Sequence, residues 1–157
     1  MATTQKIINS IQELLEEELE DPNKERTGSN NWIYTIPINF GPAEYPRIHI
    51  RQTNNSHNPL SIGSTQRFME SRIRINVFNN VNGKFDVDND GEKERSQYVL
   101  DYYKEQIIDL INDNQNRWRN IEDCHIWSVL TVSDEPFNTS KNSVVAHRID
   151  AVIRRRK

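Results

Sequence analysis

The stretch Met69-Glu70-Ser71-Arg72-Ile73-Arg74-Ile75-Asn76-Val77 decides the fold class. Met69, Ser71, Ile73, Ile75 and Val77 fall on one side and Glu70, Arg72, Arg74 and Asn76 on the other, the two-residue period of a β-strand with one dry and one wet face. Such a strand, predicted over Arg67 to Phe78, must bury its apolar side against something. Two helical patterns offer that cover. Ile7, Ile8, Ile11, Leu14, Leu15 and Leu19 recur at helical spacing with glutamates opposite, and Asp21-Pro22-Asn23 stops the pattern. Val99, Leu100, Tyr103, Ile107, Leu110 and Ile111 form a second such stripe, extending toward Trp118.

Further strands flank these helices. Trp32, Tyr34, Ile36 and Ile38 alternate up to Gly41-Pro42, and Pro37 predicts an edge position because it has no N–H for a ladder. Ile48 and Ile50 alternate with Arg47, His49 and Arg51. Ile126, Ser128, Leu130 and Val132 suggest another strand, and Val145, His147, Ile149, Ala151 and Ile153 the last. Between them lie polar segments read as loops near 52–66, 79–91 and 134–142, the first of them a mobile tip or an arm that orders against a neighbouring subunit. The expectation is one α+β domain over 1–157, with a mainly antiparallel sheet and two principal helices on one face.

Charge is unevenly distributed along the chain. The total is −3, with an apolar share of 34% and a mean hydropathy of −0.84, so a modest core must coexist with a large polar surface or with surface buried between subunits. Glu13, Glu16, Glu17, Glu18, Glu20 and Asp21 make the first helix acidic, while Arg148 and Arg154-Arg155-Arg156-Lys157 make the end basic. That polarity suits head-to-tail contact between copies. Cys124, the one cysteine, excludes an intrachain disulfide and gives no sign of an oxidising compartment. Asn9, Gln12 and Glu13 interrupt any signal-peptide core, and no apolar run reaches the ~18 residues of a membrane span, so a soluble chain with no membrane partner is expected.

Chemical motifs are few. Asp86-Val87-Asp88-Asn89-Asp90-Gly91 reproduces the opening of a calcium loop, with oxygen ligands at alternate positions and glycine at the sixth. The twelfth position, where a bidentate glutamate belongs, is Gln97, and Lys93 replaces the usual apolar eighth residue. An acidic turn preceding the next helix is the competing interpretation of Asp86, Asp88 and Asp90. His49, His57, His125 and His147 are scattered, and adjacent Cys124 and His125 on a strand would point to opposite faces, which disfavours a shared zinc. Glu92-Lys93-Glu94 opens a helix instead of lying on a strand beside another acid. With no glycine-rich phosphate loop and no nucleophile elbow, neither an enzyme nor a cofactor is expected.

The layout resembles the tail terminator, or tail completion and head-tail joining, proteins of tailed bacteriophage-like viruses. The residues carrying the likeness are the helix Ile7 to Leu19, the start Tyr45-Pro46-Arg47-Ile48, the polar loop, the strand Arg67 to Phe78, the helix Tyr98 to Ile111 and the strand Val145 to Ile153. The resemblance implies a virion protein of the neck, assembled in the host cytoplasm. It implies a homo-oligomeric ring, a hexamer, that caps the tail tube, stops its growth and docks to the head-tail connector, with passing contact with viral DNA. Interface candidates are Glu13, Glu16, Glu17, Arg72, Arg74, Arg148, Arg154, Arg155 and Arg156. Two other classes remain: a nucleic-acid-contacting module using Arg72, Arg74, Arg148 and the terminal basic run, and a calcium-binding module on Asp86, Asp88 and Asp90.

Overall fold

The structure is a computed structural model that describes residues 3–26, 32–36, 44–59 and 67–156. Helix α1 (Thr3–Glu18) leads into a two-residue strand β1 (Ile33–Tyr34), then β2 (Arg47–Pro59) and β3 (Arg67–Asn80). Helices α2 (Ser96–Asp113) and α3 (Gln115–Arg119) follow, and β4 (Ile126–Asn138) with β5 (Val144–Arg156) ends the described chain. The five strands form one sheet in the order β1-β2-β3-β5-β4, antiparallel throughout except for the parallel β1-β2 pair. The α+β class expected from the alternating stretch is the class observed.

β3 lies at the centre, as its period of two demands. Ile73, Ile75 and Val77 are fully buried, and register places them beside Ile48 and Ile50 of β2 and beside Ile149, Ala151 and Ile153 of β5. Those side chains meet Ile7, Ile11 and Leu15 of α1 and Val99, Leu100, Tyr103, Ile107 and Ile111 of α2 in one core. Burying each isoleucine contributes about 1.5–3 kcal/mol, so this layer dominates the stability of the sheet. Trp118 of α3 is also fully buried, its indole N–H donating to the Ile111 carbonyl at 2.9 Å, which folds the chain sharply after α2. The expected continuation of α2 toward Trp118 is thus a separate short helix.

Three expectations need correction. The polar segment 52–66 is not a loop throughout, since 52–59 continues β2 and pairs with β3 up to Pro59↔Arg67, with a bulge between Gln52 and Asn54. Likewise 134–138 belongs to β4 and pairs with β5, leaving a tight connection before Val144. Main-chain ladders override the low strand propensity of Asn, Ser, Asp and Pro, and Pro136 is tolerated because β4 is an edge strand. The third correction concerns Ile126, Ser128, Leu130 and Val132, which do not share a face. Bulges between Ile126 and Ser128 and between Thr131 and Ser133 shift the register, so Ile126 and Val129 enter the core while Leu130 and Val132 are exposed. Pro37, Ile38 and Gly41-Pro42 lie outside the described residues.

Local bonds fix the ends of the elements. Ser96, at the start of α2, donates from its hydroxyl to the Asn80 carbonyl and accepts from the Asn79 amide, so the helix begins where β3 ends. A Cβ on Gly83 would come 2.6 Å from the Asn79 Oδ1, so any other residue here would displace the Asn79 side chain that bonds Ser96 and the Gly83 carbonyl. Arg26 forms a latch after α1, bridging both oxygens of Asp21 and donating to the carbonyls of Glu44 and Pro46.

Candidate functional site

The two faces of the sheet carry different chemistry. Among the described residues, the face away from the helices presents Arg47 and Arg51 from β2, Arg72 and Arg74 from β3, and Arg148, Arg154 and Arg156 from β5, against Glu70, Asp150 and Glu135. Seven arginines against three carboxylates, in a chain whose total is −3, leave the rest of the molecule strongly acidic. Three arginines have carboxylate partners. Arg74 forms a two-pronged pair with Asp150 at 2.8 and 3.3 Å, and that hydrogen bond pushes the guanidinium pKa up. Arg154 donates to Glu70 at 3.1 Å, and Arg148 lies 3.6 Å from Glu135 and over the Phe137 ring. Arg47 stacks on Tyr34. Arg51, Arg72 and Arg156 are exposed and have no carboxylate partner among the described residues.

Apolar groups accompany those free guanidinium groups. Register sets Arg72 beside Val152 and Val152 beside Leu130, while Arg156 pairs with Phe68, whose ring lies 5.8 Å from that of Trp127. Trp127 and Leu130 are about two-fifths exposed. A smaller apolar group, Phe78, Val144 and Ala146 with Tyr45 and Phe137, occupies the opposite end of the same face.

The helical face is acidic. On α1, Glu13, Glu16, Glu17 and Glu18 are exposed, and Arg117 of α3 reaches Glu17 at 2.9 Å and Glu13 at 4.0 Å, which lowers the Glu17 pKa. The first-helix charge is therefore partly answered within the chain, by an arginine that sequence reading missed. On α2, Asp101, Glu105, Asp109 and Asp113 follow one another at four-residue intervals, with Glu105, Asp109 and Asp113 exposed and none of the four ion-paired among the described residues. Like charges at that spacing repel, and acids in the last helical turn oppose the helix dipole. This ridge was legible in the sequence and was overlooked.

The border between the faces is closed along β4 from Trp127 to Thr131. Val129 buries its side chain but turns its backbone groups outward from the edge, its N–H donating to the Gln115 Oε1 at 3.1 Å and its carbonyl accepting from the Gln115 Nε2 at 2.7 Å. The Thr131 N–H goes to the Asn112 Oδ1, and the Trp127 carbonyl accepts from the Arg119 Nε. Side-chain amides thus occupy the groups through which another strand would add.

Elsewhere the expected chemistry is incomplete. Asp86, Asp88 and Asp90 bring carboxylate oxygens within 4.8 Å of one another, as do Asp90, Glu92 and Glu94. Asp86 accepts from the Gly91 N–H, and Gly91 and Asn89 adopt left-handed backbone. Partial desolvation and the neighbouring acids push the Glu94 pKa up. Gln97, at the calcium-loop twelfth position, lies within α2 and donates to Asp101, away from a ligand role. Cys124 is buried, and burial raises its thiol pKa, opposite to what a nucleophile needs. A concavity of about 690 Å³ between Gln97 and the β4-β5 connection has Lys141 as its one ionisable lining residue. Arg155 points to the helical side of the sheet, beside the Met69 sulfur, so it does not join the other terminal arginines.

No protein-family model and no curated protein matches this chain. Among solved structures, a chain in the virion of native gene transfer agent particle is similar in fold, with a TM-score of 0.51 and 12% sequence identity, covering 99% of this chain and 90% of that one. The likeness spans the helices and both long hairpins, and at this identity it establishes a shared fold.

Proposed function

We propose that this chain is a structural protein of a tailed-virus-like virion that forms a homo-oligomeric ring, a hexamer, at the head-tail joint. In this reading the ring caps the tail tube, docks to the connector, and acts through contact surfaces with no reaction of its own. It is assembled in the host cytoplasm and retained in the neck of the particle. The observation that carries the proposal is the fold similarity to a virion chain over almost the full length of both proteins. Two charged faces left largely unanswered within the chain add support, because a closed ring is built from one patch meeting a different patch on the next copy.

The experiment is a native mass measurement of the purified chain, alone and with isolated tail tubes, followed by electron micrographs. Discrete oligomers of ring shape bound at tube ends are expected. A chain that stays monomeric and leaves tube ends bare would sink the proposal.

A further inference from the structure

Building on the ring reading, we infer that the arginine-rich open face of the sheet is the docking surface for the acidic α2 ridge of a second copy of this chain. Charge complementarity carries the assignment. Arg51, Arg72 and Arg156 are exposed without carboxylate partners among the described residues, and Leu130 and Trp127 supply apolar ground beside them. Across the molecule, Glu105, Asp109 and Asp113 stand exposed on the solvent side of α2, a row that repels itself and opposes its own helix dipole. Each surface has in excess the charge that the other lacks. Tyr98, nearly half exposed at the start of the same helix, and partly buried Tyr102 give the ridge an apolar margin to set against Leu130 and Trp127.

The sealed border narrows the choice of contact. Gln115, Asn112 and Arg119 occupy the edge groups of β4 between Trp127 and Thr131, so copies cannot join there by extending the sheet. That leaves the faces as the contact beside this stretch of the edge. Because the two patches differ, the interface is heterologous and each copy has one of each to offer. Charged rims of this kind set register and encounter rate, while the aromatic and aliphatic groups supply the desolvated centre.

The test uses two full-length variants. The first is Arg72→Glu with Arg156→Glu, and the second is Glu105→Lys with Asp109→Lys. All four side chains are exposed, and circular dichroism with thermal midpoints confirms folding before native mass and sedimentation measurements. Each variant alone is expected to be monomeric where the original chain assembles. Mixed in equal amounts they are expected to assemble again, alternating, since the patch of Arg51 with two glutamates on one then meets the patch of two lysines with Asp113 on the other, and the unaltered surfaces still match. Assembly of either variant alone to the original oligomer overturns the docking assignment while leaving the ring intact. If the arginine variant keeps the oligomer but loses retention of duplex DNA at low salt, the open face belongs to nucleic acid and the assignment also fails. An original chain that pairs face to ridge but does not cap tail tubes sinks the ring reading alone, and an original chain that stays monomeric sinks both.

Discussion

The two faces of the central strand teach different lessons about what a sheet is for. Ile73, Ile75 and Val77 look toward the helices and are completely buried, whereas Arg72 and Arg74, interleaved with them, look away and remain wet. One face holds the fold, and the other stays open to solvent. Energy follows that division, because burial on the helical side contributes about 1.5–3 kcal/mol per large aliphatic residue, while partly exposed ion pairs such as Arg154 with Glu70 contribute about 0–1 kcal/mol.

The largest test of this contrast is Ile75→Ala, which removes a completely buried side chain from the core that the sheet shares with the helices. A loss of about 2–5 kcal/mol is expected in urea unfolding. An effect below ~1 kcal/mol would mean that the helical face is not the dominant source of stability. Next comes the border. Gln115→Ala strips both side-chain bonds from Val129 and is expected to cost about 1–3 kcal/mol, with new concentration-dependent association detected by light scattering as the edge opens. Smaller still on stability is Arg72→Glu, expected to leave the unfolding free energy within about 0.5 kcal/mol. A large destabilisation there would break the contrast, because it would assign the open face a structural role.

The smallest effect is one of pH. Burial of His49 on the open face lowers its pKa below the ordinary 6.5, so its neutral form is favoured in the folded chain. Its contribution is present above the unfolded value and is lost as pH falls through 6.5 toward the folded value. His49→Gln is expected to flatten that part of the curve of thermal midpoint against pH, and an unchanged slope would show that the imidazole is not the group responsible.

Legibility in the sequence followed the same division. The helical face could be read from Met69 to Val77, from the stripe on α1 and from Val145 to Ile153, because burial imposes periods of two and 3.6 residues. Segments 52–59 and 134–138 were misread, because their strand character comes from pairing with β3 and β5 and leaves no apolar alternation. The β4 bulges were equally hidden, since one extra residue changes which side chains turn inward without changing composition. At the candidate interface the excess of arginine could be anticipated from Arg72, Arg74, Arg148 and the terminal run. Their pairing with Asp150, Glu135 and Glu70, and the opposite orientation of Arg155, depended on register.

The amide clasp of Gln115 on Val129 bears on growth and its limits. A protein with an open edge adds copies for as long as supply lasts, and its length is set by concentration and time. Where copies dock face to ridge as inferred above, the number of copies follows from the angle between two complementary surfaces, a property of a single molecule that dilution does not alter. On that docking arrangement, the clasp moves the question of how large an assembly becomes from kinetics toward shape at this edge.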